Sequence, residues 1–161
     1  MQLELRRASE SDLLLVFEWI NDPIVRNASY QKDPIPIENH SRWFKGKLRD
    51  ENCFYFILEA DGKEAGQIRF DKVDNTFHIS YLIAGEHRGK QLGYRILALG
   101  ENALLDQMKD TQEITLAGYV MKKNIASIKA FLFNKYEQED VNDVQYPDSF
   151  RFNKKIKWNL Q

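Results

Sequence analysis

The stretch His78-Ile79-Ser80-Tyr81-Leu82-Ile83-Ala84-Gly85-Glu86-His87-Arg88-Gly89-Lys90-Gln91-Leu92-Gly93 decides the architecture. Its first half alternates like a strand, its middle is a basic, glycine-containing turn, and its end opens an amphipathic helix running from Gly93 to about Met108. Leu92, Ile96, Leu99, Ala103 and Leu104 form one stripe of that helix, with Gly100 inside it. A strand feeding a helix through such a turn makes an anion site. The first N–H groups of a helix have no intrahelical acceptor, and the aligned peptide dipoles place roughly half a positive charge there. Gly89 and Gly93 let a phosphate approach the backbone, and Arg88 and Lys90 add fixed charge.

Outward from this turn, the chain divides into periodic segments. Upstream, Cys53–Glu59, Glu64–Asp71 and Thr76–Ile83 alternate as strands, separated by turns at Asp61-Gly62 and Asp74-Asn75, which predicts an antiparallel meander. Downstream, a strand over Glu113–Tyr119 and a helix over Asn124–Tyr136 precede closing strands expected at Val141–Val144 and Arg151–Trp158. At the N-terminus, Leu3 and Leu5 mark a short strand, and Ser9-Glu10-Ser11-Asp12 offers a cap for a helix carrying Leu13, Val16, Phe17 and Ile20. Asn21-Asp22-Pro23 stops that helix. The segment from there to Pro36, with Pro23, Pro34 and Pro36, reads as a stiff loop, and Ile37–Phe44 begins a second helix.

Composition excludes several classes of function. The chain has 161 residues, enough for one domain and one core, and the expectation is a single domain over residues 1–161. With 23 Lys+Arg against 24 Asp+Glu the formal net charge is -1, so no overall field draws the protein to nucleic acid or to an anionic membrane. The single cysteine, Cys53, allows no internal disulfide and makes a thiolate metal site unexpected, so no metal is called for. No stretch reaches the roughly 18 apolar residues of a membrane span, and the N-terminus has no apolar leader. The expectation is a cytoplasmic protein, monomer or homodimer.

Arg88-Gly89-Lys90-Gln91-Leu92-Gly93 resembles the coenzyme A pyrophosphate loop of the GNAT acetyltransferases, whose pattern is Gln/Arg-x-x-Gly-x-Gly/Ala. Arg88 and Gly93 match, and Gln91 stands where the pattern has its first glycine. Asn124-Ile125-Ala126-Ser127 resembles the Asn-x-x-Ser start of the family's next helix. The resemblance implies an α/β (α+β) GNAT fold: a mixed, mostly antiparallel sheet of about seven strands, flanking helices, and a splay between the fourth and fifth strands. It implies acetyl-CoA as donor, its pantetheine arm lying in the splay against the backbone of Leu82 and Ile83. Arg88, Gly89, Lys90, Gln91, Leu92 and Gly93 would hold the pyrophosphate, with Asn124, Ser127 and Phe131 along the arm.

Phe131 occupies the position of the family's usual tyrosine acid, so protonation of the leaving thiolate has to come from elsewhere. A thiol with pKa of about 8.5 leaves tolerably well unaided, whereas an acceptor amine with pKa of about 10.4 is neutral in only about one molecule in two thousand at pH 7. His78 has the best unperturbed pKa for taking that proton. Tyr119 is a second catalytic candidate, and Tyr81 and Tyr94 are further phenols in range.

For the acceptor, Asn21-Asp22-Pro23, Arg26, Ser29, Ile37-Glu38-Asn39-His40, Trp43-Phe44 and Gly66-Gln67-Ile68-Arg69-Phe70-Asp71 are similar to acetyltransferases of the pseudaminic-acid pathway and to the GNAT part of spore-coat polysaccharide proteins. That implies an amine on a nucleotide-linked deoxyaminosugar, with Arg26, His40, Trp43, Arg69, Ser80 and Tyr81 as acceptor-binding residues. Cations suit a diphosphate and flat rings suit stacking. Phe44 reads as a core anchor. A protein N-terminal acetyltransferase of the ribosomal type and a non-catalytic coenzyme A-binding module remain as alternatives.

Overall fold

The computed structural model of the chain describes residues 1–109 and 113–157. Strand β1 (Leu3–Arg7) leads through a short 3-10 turn into helices α1 (Leu13–Ile20), α2 (Pro23–Ala28) and α3 (Ile37–Arg49). The meander follows as β2 (Cys53–Ala60), β3 (Lys63–Val73) and β4 (Thr76–Ile83). Helix α4 (Leu92–Gln107), strand β5 (Ile114–Met121), helix α5 (Ile125–Phe133) and strands β6 (Glu137–Asp140) and β7 (Ser149–Ile156) complete the order. All seven strands belong to one sheet, ordered β1-β2-β3-β4-β5-β7-β6. Among the described residues only β4 and β5 pair in parallel, which gives the mixed, mostly antiparallel α/β sheet that the resemblance implies.

Each sheet face has its own helical cover. On one face Val16, Trp19, Ile20 and Phe44 from α1 and α3 pack on Tyr55, Ile57 and Leu82. On the other, Leu92, Ile96, Leu97 and Leu104 of α4 and Ala130 and Phe131 of α5 cover Phe56, Leu58, Ile68, Phe70 and Phe77. Alternation along the strands sends successive side chains to these two cores.

Three sequence expectations are corrected. The segment read as loop from Pro23 contains α2, because Asn21-Asp22-Pro23 both ends one helix and starts the next: the Asp22 carboxylate accepts from Ile24 N–H at 2.9 Å, and proline fits the first helical position. No strand forms at Val141–Val144, and Val144 is 96% exposed. Its place is taken by β6, four exposed residues (Glu137, Gln138, Glu139, Asp140) with no apolar alternation to reveal them, as suits a charged edge strand. Helix α3 runs on to Arg49, and α5 ends at Phe133, before Tyr136. Trp158, the expected end of the last strand, lies outside the described residues.

Candidate active site

Pairing between β4 and β5 stops after His78↔Ala117, and beyond it the two strands part. Backbone polar groups alternate sides along a strand. Because Ala84 N–H donates to Ala65 C=O at 2.8 Å, the groups of Leu82 face β3, while those of Tyr81 and Ile83 face the gap. Of the two residues expected to meet a pantetheine arm through their backbone, Ile83 therefore presents its N–H and C=O to the gap and Leu82 does not. The Leu82 side chain belongs to the core under α1 and α3.

The gap opens into a cavity of about 830 Å³ bordered by the β4–α4 turn, the start of α5 and the inner side of α2. At the turn, Gly89 has φ +79° and Gln91, the residue preceding α4, has φ 59° and ψ 27°, the left-handed conformation that a glycine would take without penalty. Gln91 thus adopts the loop shape without the expected glycine. No side chain caps α4, so its first N–H groups are open to an anion. Arg88 borders the cavity, but its Nη2 lies 3.0 Å from the Asp22 carboxylate at the start of α2. The exposed Lys90 is not among the lining residues, whereas Gly89, Gln91, Leu92 and Gly93 are.

At the other wall, Asn124 Oδ1 accepts from Ser127 N–H at 3.3 Å and so caps α5. Ser127 Oγ accepts from Tyr81 Oη at 3.0 Å. Burial pushes the Tyr81 phenol up to about 12, so it stays protonated at neutral pH. Phe131 is fully buried, and its Cζ would lie 2.6 Å from a β-carbon at Gly118. The end of the ring is thus packed against Gly118 of β5, while Phe131 also borders the first cavity.

A second cavity of about 500 Å³ lies under α1–α3 and shares Val25, Ser29, Ser80, Tyr81 and Leu82 with the first. Its floor carries Arg69, whose Nε is 2.7 Å from Asp71 and whose Nη2 donates to Ser80 Oγ at 3.3 Å. The guanidinium lies 4.9 Å from the Trp43 ring centroid and 5.8 Å from that of Tyr55. Asp71 is also held by Lys47 at 2.8 Å, and both cations keep its carboxyl below the usual range against the opposing effect of burial. Tyr55 Oη donates to Gln67 Oε1 at 2.5 Å, orienting that amide on the cavity floor; Gln67 belongs to the stretch that carries the acceptor resemblance, whereas Tyr55 has no sequence signal beyond strand alternation.

Other expected site residues are held differently. His40 borders this cavity, yet it is 1% exposed among Phe17, Trp43 and Phe44, with Nε2 2.8 Å from the Leu13 carbonyl. Burial lowers its pKa, so it sits as a neutral ring bracing α1 against α3. Arg26 spends its donors on the carbonyls of Ile20 and Gln31, the Gln31 amide oxygen and Ser29 Oγ, which shapes the α2–α3 connection. His78 lines neither cavity. It faces the same side as Ser80, its ring parallel to that of Tyr119 at 6.1 Å between centroids, and its pKa is lowered by burial first and then by the charge of Arg151. Tyr119 lines the first cavity and stacks on Tyr146 at 3.7 Å. Among the described residues no group of three or more His, Cys, Asp or Glu is placed to hold a metal, and no helix is long and apolar enough to cross a membrane.

Among curated protein sequences none matches this chain. Among solved structures, a domain from Methanocaldococcus jannaschii superposes with TM-score 0.79 at 19% identity, covering 96% of this chain and 99% of the other. The spermidine N-acetyltransferase of Vibrio cholerae, in complex with CoA and spermine, gives 0.76 at 17%, covering 94% of each. The N-acetyltransferase PseH of Campylobacter jejuni gives 0.68 at 19%, covering 98% and 99%. At these identities the likeness is one of fold. The acetyltransferase (GNAT) domain family, however, matches residues 2–134 directly, which takes in the parted strands, the turn before α4 and the capped α5; the chain belongs to the GNAT family and is an N-acetyltransferase.

Proposed function

We propose that this enzyme moves the acetyl group of acetyl-CoA to an amine on a small anionic molecule, namely the amino group of a nucleotide-linked deoxyaminosugar, as a cytoplasmic step toward surface polysaccharide. The observation that carries the reading is the makeup of the joined cavities: Arg26 and Lys129 line them together with Arg69 and Arg88, each of these last two paired with an aspartate outside the lining, and among the described residues no Asp or Glu lines them. A polyamine or aminoglycoside brings several positive charges, and a site without a lining carboxylate repels them. An acceptor with a negatively charged carrier meets the opposite field. Trp43, partly exposed over Arg69, supplies a flat surface for a sugar ring.

In this reading acetyl-CoA lies with its pyrophosphate on the first turn of α4 and its pantetheine amides on the backbone of Tyr81 and Ile83. The acceptor occupies the second cavity, so that its amine meets the thioester where the cavities join at Ser80 and Tyr81. The amine attacks the thioester carbonyl, the C–S bond breaks, and the amine proton passes along the β4 face, past Ser80, to His78, which shares that face but lies outside both cavities. The depressed pKa of His78 keeps it neutral, and therefore able to accept, at pH 7. Tyr81 Oη, protonated and held by Ser127, can donate a hydrogen bond to the departing thiolate, which leaves unaided and takes its proton from solvent.

Release of free thiol from acetyl-CoA across a panel of amines tests this. Turnover is expected with a nucleotide aminosugar and not with spermidine, an aminoglycoside or N-terminal peptides. A purified enzyme that acetylates peptides or polycations and ignores nucleotide aminosugars has another acceptor.

A further inference from the structure

Beyond the cavities, the face of the sheet that carries His78, Ser80 and Tyr119 continues onto β7 and β6. Tyr119 pairs with Arg151 and Ala117 with Asn153 across β5 and β7, and Glu139 of β6 pairs with Arg151, so these side chains share that face. Arg151 is held in an uncommon way. Its Nε donates to Asn153 Oδ1 at 2.8 Å, and the Nδ2 of the same amide donates to the Glu139 carboxylate. Asn153 therefore stands between the acid and the base, and Arg151 enters none of the ion pairs among the described residues, unlike Arg69 and Arg88. Its Nη1 makes one long contact, 3.4 Å to Tyr119 Oη, and its guanidinium lies 5.6 Å from the Tyr119 ring centroid. Nη2 has no partner among the described residues.

The surroundings are flat and aromatic. Tyr146, from the β6–β7 connection, stacks on Tyr119 with the planes 2° apart, and Tyr30, from the α2–α3 connection, meets Tyr146 edge-on at 5.2 Å. Tyr30 Oη lies 2.6 Å from Ser149 Oγ, which ties the α2–α3 connection to the start of β7. Tyr30 and Tyr119 both border the first cavity.

We propose that Arg151 is an oxyanion subsite of the acceptor, taking a phosphate of the nucleotide on its open Nη edge beside the Tyr119–Tyr146 pair. The assignment rests on the nucleotide-aminosugar reading above and adds the residue that reads the charge. A guanidinium fixed through Nε by an amide, with its outer nitrogens free, is oriented to grip an oxyanion bidentately, and an aromatic pair beside it suits a nucleobase.

The test is calorimetric titration of UDP into protein saturated with acetyl-CoA, so that the turn before α4 is already filled. Arg151→Met is expected to weaken UDP binding roughly 10- to 100-fold, the loss of one or two charge-assisted hydrogen bonds, and Arg151→Lys to recover only part of it. Acetyl-CoA affinity should stay unchanged in both, which also shows that they are folded. Lys122→Ala, which removes a nearby exposed cation paired with Asp140, should leave UDP binding intact. Equal UDP affinity in wild type and Arg151→Met overturns the subsite, as does an equal loss in Lys122→Ala. If the wild type still turns over a nucleotide aminosugar in that case, the acceptor class stands and only the role of Arg151 falls. A wild type that neither binds UDP nor acetylates the aminosugar overturns both.

Discussion

Replacing Gln91 by glycine is expected to stabilise the enzyme, although it removes a side chain. Gln91 stands at φ 59° and ψ 27° immediately before α4, where a β-carbon crowds its own backbone. The left-handed conformation costs a non-glycine residue about 1–2 kcal/mol. Glycine removes that cost but loses about 0.5–1 kcal/mol more conformational entropy on folding. The net expectation is about 0.5–1 kcal/mol of added stability, which for a chain of this size raises Tm by roughly 1–4 °C. Thermal unfolding of the free enzyme reads the shift. Gly89→Ala, two residues earlier at φ +79°, supplies the opposite sign: alanine is strained there, and Tm should fall. Calorimetry should find acetyl-CoA affinity unchanged in Gln91→Gly, since backbone N–H groups and not the Gln91 side chain make the anion site. A clear drop in Tm for Gln91→Gly, with Gly89→Ala neutral, would refute the left-handed assignment and with it the argument that the loop keeps its shape without the glycine.

Phe131→Tyr should not raise kcat, because the end of the buried ring is already packed against Gly118; a stability loss of about 1–3 kcal/mol in denaturant unfolding is the expected signature of overpacking. His78→Phe should lower kcat with little change in acetyl-CoA affinity. In the wild type the acid limb of the pH–rate profile should lie below the ordinary histidine value of about 6.5, since burial and Arg151 disfavour the charged ring, and activity falls only as pH drops through that lowered value. An unmoved limb in His78→Phe would assign the proton to another acceptor. Asn124→Ala should cost about 0.5–2 kcal/mol through the lost cap and also weaken acetyl-CoA binding, whereas Asn124→Ser keeps the cap and isolates the binding contribution in a titration.

The amino-acid sequence by itself determined the strands β2–β5, the turn that opens α4, the cap of α5 and therefore the family, because these depend on local periodicity and on residues a few positions apart. Period-two alternation from Cys53 to Ile83 and the stripe of α4 are legible without knowing any neighbour. The short α2 and the edge strand β6 were not, since six residues give little helical periodicity and the charged β6 residues carry no apolar alternation. Tertiary structure alone decided what each functional side chain does. Arg26, Arg69, Arg88 and Arg151 look alike as letters, yet the first shapes a connection, the second is neutralised by Asp71 under Trp43, the third is taken by Asp22, and the fourth is kept from Glu139 by Asn153. His40, which borders the second cavity, is held as a buried brace by a carbonyl 27 positions away. Such partnerships depend on segments the fold brings together, and electrostatic energy falls off with distance in space, not along the chain. The sequence therefore marked a turn suited to an anion and a set of candidate cations, while only the folded arrangement decided which of those cations remain unpaired.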